Sequence, residues 1–130
     1  MLIRGKTEKY EVVLGTAVGY NNDNIVATSD RFSQVYNNIA IQNPYLYIPI
    51  TSDDVNVIYK SEWGCPENGE ICIRFTSQRN PKFDNDKNIF ERAMIWNVEQ
   101  LKQKNQQKTV QMTRCNDVDF YYFTDWFTYR

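Results

Sequence analysis

Two runs of alternating apolar residues, between residues 49 and 77, constrain the fold more than any other feature of the chain. The apolar positions of the two runs are Val55, Val57, Tyr59, Ile71, Ile73 and Phe75. Strand side chains alternate between two faces, so the pattern predicts a β-hairpin with all six on one continuous apolar face. A turn at residues 64–69 joins the arms. The opposite face mixes Ile58 and Arg74 with polar residues, and we expect it to contact a ligand or partner.

The periodicities on either side of the hairpin predict two helices and further strands. In chain order the elements are a strand at 10–14 continuing through Ala17 and Val18, a polar turn at 21–24, a helix at 28–41, a strand at 45–50, the hairpin, a helix at 88–104, and strands at 109–115 and 118–127. An irregular lead-in is expected at residues 1–9, a break at 51–54 and a turn at 116–117. This order predicts an α+β fold, a ferredoxin-like split βαβ sandwich in which one antiparallel sheet carries two helices on one face.

Length and charge narrow the class of protein. A chain of 130 residues fits a single α+β domain over residues 1–130. Fifteen basic and sixteen acidic residues leave a net charge of −1, which provides no general attraction to nucleic acid or to an anionic membrane. No apolar run approaches the ~20 residues that a membrane helix requires. Three cysteines without a C-x-x-C spacing predict reduced thiols, and a cytoplasmic protein is expected.

The chain contains no histidine, which excludes Ser-His-Asp and Cys-His catalysis and histidine-based metal sites for the chain acting alone. Any catalysis must use carboxylate, Tyr, Lys or Cys side chains. Residues 84–88 begin like a calcium loop, but Ile89 and Ile95 stand where that loop requires glycine and glutamate. We therefore expect Asp84 or Asp86 to cap the second helix. The sequence predicts no metal and no cofactor.

Five residues are predicted to bind a ligand. Glu62, Trp63 and Arg74 would converge at one end of the hairpin. Arg79 lies at the other end, near the start of the second helix, where a guanidinium and free backbone amides favour an anion. A surface ion pair with a nearby Asp is the alternative for Arg79. Tyr121 is expected on the open sheet face with Arg74.

The leading functional prediction is a small binding module rather than an enzyme. It would form a homodimer and use its open sheet face and aromatic rim to hold a protein partner or a small anionic, nucleotide-like ligand. One alternative is a histidine-independent enzyme that uses Glu62 or Asp119 with Tyr chemistry on a small substrate. A second is single-stranded nucleic-acid binding through Lys102 and Lys104, which the near-neutral charge disfavours.

Overall fold

A four-stranded antiparallel sheet organises the computed structural model, which describes residues 1–16 and 29–125, without the side chains of residues 29–33. Its helices and strands are β1 (Leu2–Gly15), α1 (Ser29–Gln42), β2 (Thr51–Val57), β3 (Glu70–Gln78), α2 (Lys87–Lys104) and β4 (Gln111–Phe123). The strand order is β2-β3-β1-β4. Because β3 lies between β1 and β2, the β1–α1–β2 unit is a split βαβ unit. The predicted ferredoxin-like fold is confirmed.

One face of the sheet packs against both helices. The two central strands pair so that Val12 lies opposite Phe75 and Leu14 opposite Ile73. The fully or almost fully buried residues of this face and of the helices form one cluster, with Tyr10, Val12, Leu14, Ile73 and Phe75 from the sheet, Tyr36 and Ile39 from α1, and Phe90, Ala93, Met94 and Leu101 from α2. The helical residues recur at three- and four-residue spacing, which gives each helix one apolar stripe toward the sheet.

The hairpin of β2 and β3 is present, but the predicted single apolar face is wrong. Val55 pairs with Cys72 and Val57 with Glu70, whereas Ile73 pairs with Asp54. The two apolar runs therefore lie on opposite faces of the sheet. The connection between the strands spans residues 58–69, contains a 3-10 turn and is longer than the predicted turn. Register follows loop length, and a shift of one residue moves every side chain to the other face.

Two further segments differ from the prediction. The predicted lead-in at residues 1–9 belongs mostly to β1, because its first half pairs with the last half of β4, Leu2 opposite Phe123. Residues 51–54 continue β2 instead of breaking it. Conversely, residues 45–50 form no strand, since the Ile48 backbone exchanges hydrogen bonds with the Tyr36 hydroxyl and not with a neighbouring strand.

The predicted turn at residues 116–117 is an irregularity inside one continuous strand. The register of β1 and β4 shifts between Thr7 and Lys9, and Asp117 has a left-handed φ of 56°. Such a bulge accommodates extra residues without ending the strand. The predictions for Ala17, Val18, residues 21–24, Thr28 and residues 126–127 lie outside the described residues.

Within residues 1–16 and 29–125, no helix is both long enough and apolar enough to cross a membrane. That the chain forms a single domain stays a prediction.

Two isoleucines of β3 test the observed arrangement of faces. Ile73 is 1% exposed in the core, whereas Ile71 is 41% exposed near the strand's start. We expect Ile73→Ala to lower the free energy of unfolding by about 2–5 kcal/mol, because it leaves a cavity in a packed core. Ile71→Ala should cost well under half of that. Urea unfolding followed by circular dichroism measures both, and equal losses would contradict the observed packing.

Candidate functional site

A buried carboxylate marks the end of the sheet where β1 ends and β3 begins. Glu70 is the first residue of β3 and is only 8% exposed. Gly69, with a φ of 85°, turns the chain into the strand immediately before it. By strand alternation Glu70 shares the face of Cys72, opposite the helices. The Tyr59 hydroxyl donates a hydrogen bond to its Oε1 at 3.2 Å.

A second acceptor oxygen lies beside this carboxylate, above the Cα of Gly15. A Cβ atom added to Gly15 would lie 2.8 Å from Glu70 Oε2 and closer still to Gln107 Oε1. Gln107 is placed by the end of α2, where its backbone amide donates to Lys102 O and its Nε2 donates to Asn105 O, each at 3.0 Å. The absence of a side chain at Gly15 therefore allows the Glu70 and Gln107 side chains to lie against its Cα.

The thiol of Cys72, next to Glu70, is unreactive at neutral pH. Cys72 is 3% exposed, and burial raises the pKa of its thiol to about 12, with the negative charge and hydrogen bonding of Glu70 acting in the same direction. At neutral pH the group is therefore a protonated thiol and not a nucleophile. Cys65 and Cys115 are free thiols as well, so the chain contains no disulfide.

Glu70 is notable for its lack of a basic partner among the described residues. Four salt bridges form in that part of the chain, namely Lys6–Asp119, Arg74–Asp53, Arg79–Glu8 and Arg114–Glu91. None includes Glu70, and its neighbours Tyr59 and Cys72 are neutral. A buried carboxylate is costly without a compensating cation or full hydrogen bonding. Glu70 therefore differs from the four carboxylates that form salt bridges.

Two arginines that the sequence predicts as ligand-binding already hold carboxylates. Arg74 lies on the same sheet face as Glu70 and binds Asp53 through two hydrogen bonds of 2.7 and 3.2 Å. Arg79 is buried and binds Glu8 through two hydrogen bonds of 2.7 and 2.9 Å. Its third donor reaches the backbone carbonyl of Asp84 at 2.9 Å. Arg79 therefore joins β1 to the loop before α2.

The other three predicted site residues lie on the surface. Trp63 is 65% exposed, with the Lys60 ammonium 5.0 Å from its ring, and Glu62 precedes it in the same 3-10 turn. No hydrogen bond or ion pair among the described residues connects either of them to Arg74. Tyr121 is exposed and pairs with Arg4, in the half of β4 far from Glu70. That these residues bind a ligand stays a prediction.

The sequence prediction missed Glu70. Its acidic candidates were Glu62 and Asp119, which are both exposed, and the Asp119 side chain pairs with Lys6. One feature of the sequence could have indicated Glu70: it is an acidic residue at the start of an apolar strand, directly after Asn68 and Gly69. An acid in that position must enter the sheet with its neighbours.

The loop that begins like a calcium site caps a helix. The Asp86 carboxylate accepts hydrogen bonds from the Asn88 and Ile89 amides at 2.9 and 3.2 Å. This confirms the predicted cap of α2. Among residues 1–16 and 29–125, no cluster of three Cys, Asp or Glu side chains could hold a metal ion.

Comparisons with known proteins identify one family. The model of the SAM lyase family matches residues 5–124. A phage SAM lyase in complex with S-methyl-5'-thioadenosine has a similar structure, with a TM-score of 0.57, 13% identity, and coverage of 95% of this chain and 94% of that chain. The apo state of a phage SAM lyase gives a TM-score of 0.62 at 12% identity, covering 94% and 93% of the two chains.

A third similar structure is CutA from Synechococcus elongatus, with a TM-score of 0.50, 8% identity, and coverage of 92% of this chain and 85% of that chain. At such identities the solved structures show the shared fold. A search of curated protein sequences found no significant match. The leading prediction of a binding module is wrong, because the matching family is one of lyases and points to an enzyme.

The buried Arg79–Glu8 pair should make stability depend on pH. The hydrogen bond from Arg79 holds the pKa of Glu8 below its ordinary value of 4.5. Its contribution to stability is therefore fully present above about pH 4.5 and is lost as the pH falls through the lowered pKa. We expect Glu8→Gln to cost about 3–5 kcal/mol at pH 7, because Arg79 is left buried without an anion.

Urea unfolding at pH 7 and at several pH values below 4.5 measures this effect, and the Glu8→Gln variant should lose less stability than the wild type on acidification. Asp119→Asn, which breaks the exposed pair with Lys6, is the control and should leave the unfolding midpoint at pH 7 unchanged. An equal effect of both variants would show that the burial of the Arg79–Glu8 pair has no energetic consequence.

Proposed function

The chain belongs to the SAM lyase family, and we propose that it cleaves S-adenosylmethionine, releasing S-methyl-5'-thioadenosine. The observation that supports the proposal most is the family match over residues 5–124, which spans all four strands and both helices apart from the first residues of β1. A phage SAM lyase with S-methyl-5'-thioadenosine bound shares the fold. We place the substrate on the sheet face opposite the helices, at the end that Glu70 occupies.

The proposed reaction breaks the bond between the sulfonium sulfur and Cγ of the amino acid part. The electron pair of that bond moves to sulfur, which becomes the neutral thioether of S-methyl-5'-thioadenosine. A lyase adds no water, so the remaining fragment must complete the valence of its own Cγ. It can do so through attack by its own carboxylate, which closes a five-membered lactone, or through loss of a Cβ proton, which forms a double bond.

We favour the lactone. Ring closure requires no proton transfer, because the carboxylate that attacks Cγ carries its own negative charge into the new bond. Proton removal from Cβ requires a general base within hydrogen-bonding reach. The chain has no histidine and the Cys72 thiol has a pKa of about 12, so Glu70, which accepts a hydrogen bond from the Tyr59 hydroxyl, is the candidate base if a proton is removed. The main tasks of the protein are then to bind, fold and desolvate a substrate with a good leaving group.

We also propose that the enzyme is a homodimer in the cytoplasm. The helices α1 and α2 cover one face of the sheet, and a second copy of the chain would cover the other. Three unpaired cysteines suit a reducing compartment. Sedimentation equilibrium measures the assembly directly, and a monomer at micromolar concentration would overturn the dimer.

Removal of the Glu70 charge should reduce turnover. We expect Glu70→Gln to lower kcat/KM for release of S-methyl-5'-thioadenosine by roughly 10–100-fold, the range expected for one lost charge-assisted hydrogen bond. Chromatography of the adenosyl products measures the rate. Glu67→Gln is the matched control, because Glu67 is exposed in the same connection, and it should leave the rate unchanged. No product from the wild-type protein would reject the proposed function itself.

Isotope labelling distinguishes the two fates of the amino acid fragment. With substrate carrying two deuterium atoms on Cβ, lactone closure retains both, whereas proton loss from Cβ retains only one. We expect both deuterium atoms in the product. Mass spectrometry of the four-carbon product measures the label, and the loss of one deuterium would show that a base in the site removes a proton.

A further inference from the structure

We propose that a groove on the helix side of the molecule binds an arginine side chain from a protein partner. The groove lies between residues 45–48, the loop at 83–86 and the start of α2, and its volume is about 140 Å³. Its base is formed by Phe90 and Ala93, which belong to α2 and are buried. The inference is independent of the proposed function, because Glu70 lies on the opposite face of the sheet.

Three aromatic residues around this base leave large apolar surfaces in water. Tyr45 is 96% exposed, and Tyr47 and Phe83, which also line the groove, are exposed as well. Isolated exposed rings are ordinary, but several around one apolar depression indicate an interaction site. Tyrosine and phenylalanine are enriched at protein interfaces, where they supply large and rigid contact surfaces.

The charged side chains that line the groove are both acidic, namely Asp84 and Asp86. The carboxylate of Asp84 forms no hydrogen bond or salt bridge with another residue in the described part of the chain. It is the backbone carbonyl of Asp84 that accepts the hydrogen bond from Arg79. Aromatic rings beside carboxylates attract a cation and repel the phosphates of nucleic acid or of a membrane surface.

The positive groups near the groove do not reverse this preference. The amides at the start of α2 are engaged, since Asp86 accepts hydrogen bonds from three of them. Lys82 is next to the groove in sequence but does not line it. Its ammonium lies 5.8 Å from the centre of the Phe83 ring and 5.7 Å from that of Tyr122. The Phe83 ring therefore already attracts one cation from within the chain.

Size and shape favour one arginine side chain of a larger partner. The volume of about 140 Å³ is below the roughly 300–1,000 Å³ of small-molecule pockets, so the groove suits a side chain rather than a whole nucleoside. A guanidinium group is planar, stacks on aromatic rings and donates two parallel hydrogen bonds to a carboxylate. The ammonium of lysine is a compact point charge that cannot stack in this way.

A nuclear magnetic resonance titration of the isotope-labelled full chain tests the proposal with two small probes. N-acetyl-arginine amide carries the guanidinium, and N-acetyl-citrulline amide has nearly the same shape without the charge. We expect the arginine probe to shift the amide signals of residues 45–48 and 83–90, with a Kd on the order of 1–10 mM for a single side chain in a shallow groove. The citrulline probe should bind at least roughly fivefold more weakly.

Two variants remove one ring or one charge and leave the base of the groove intact. Tyr45→Ala and Asp84→Asn should each weaken binding of the arginine probe by roughly threefold or more. Glu99→Gln is the matched control, because Glu99 is an exposed acid of α2 that does not line the groove, and it should leave the Kd unchanged. Circular dichroism confirms that each variant is folded, and the comparison of the two probes requires no variant.

A pentapeptide distinguishes a protein segment from a free guanidinium compound. Acetyl-Gly-Leu-Arg-Leu-Gly-amide places apolar side chains beside the arginine, where they can contact the exposed rings of Tyr45 and Phe83. We expect it to bind at least roughly tenfold more tightly than the arginine probe, because it buries more apolar surface. The same peptide with lysine in place of arginine should bind more weakly than the arginine peptide.

Several results would overturn the proposal. Equal binding of the arginine and citrulline probes would show that the groove has no preference for a cation, and equal binding of the two peptides would remove the preference for arginine. A peptide that binds no more tightly than the arginine probe would exclude a protein segment as the ligand. A change in the sedimentation coefficient of Tyr45→Ala would show that a second copy of the chain occupies the groove. Failure to cleave S-adenosylmethionine would leave all these measurements unaffected.

Discussion

The antiparallel register between β1 and β3 is the constraint on which the rest of the structure depends. With Val12 opposite Phe75 and Leu14 opposite Ile73, the apolar residues of both central strands face the helices. The same register sets Gly15 opposite Cys72, on the other face. Glu70 lies two residues before Cys72 and so shares that face. A slip of one residue would turn this carboxylate toward the apolar cluster under the helices.

The sequence was sufficient for the order and type of the main elements. The stripe of Phe90, Met94 and Leu101 repeats with helical period, and the alternation in β3 is clear, so the sandwich follows from local patterns. The relative offset of the hairpin arms does not follow from them. It depends on how residues 58–69 are folded, and a 3-10 turn in that connection leaves no simple trace in hydrophobic periodicity.

The candidate site was less predictable because its members come from separate parts of the chain. Gly15, Tyr59, Glu70 and Gln107 belong to the end of β1, the hairpin connection, the start of β3 and the segment after α2. None has a neighbour in sequence that indicates its role. Arg79 presents a related difficulty. Its partner Glu8 lies 71 residues away in sequence, and the two side chains form an internal ion pair where the sequence predicted an anion-binding site. The absence of histidine excluded histidine-dependent catalysis but did not indicate which residues form the site.

The two buried acids differ in how their charge is compensated within the chain. Glu8 and Glu70 are equally buried, at 8% exposure each. Glu8 accepts two hydrogen bonds from Arg79, so its charge is compensated within the chain and holds β1 to the loop before α2. Glu70 accepts a hydrogen bond from the neutral Tyr59 hydroxyl and has no basic partner among the described residues. Packing alone would favour a neutral side chain at residue 70. A carboxylate there is understandable if a cation arrives from outside, and the proposed substrate, S-adenosylmethionine, would supply one for as long as it remained bound.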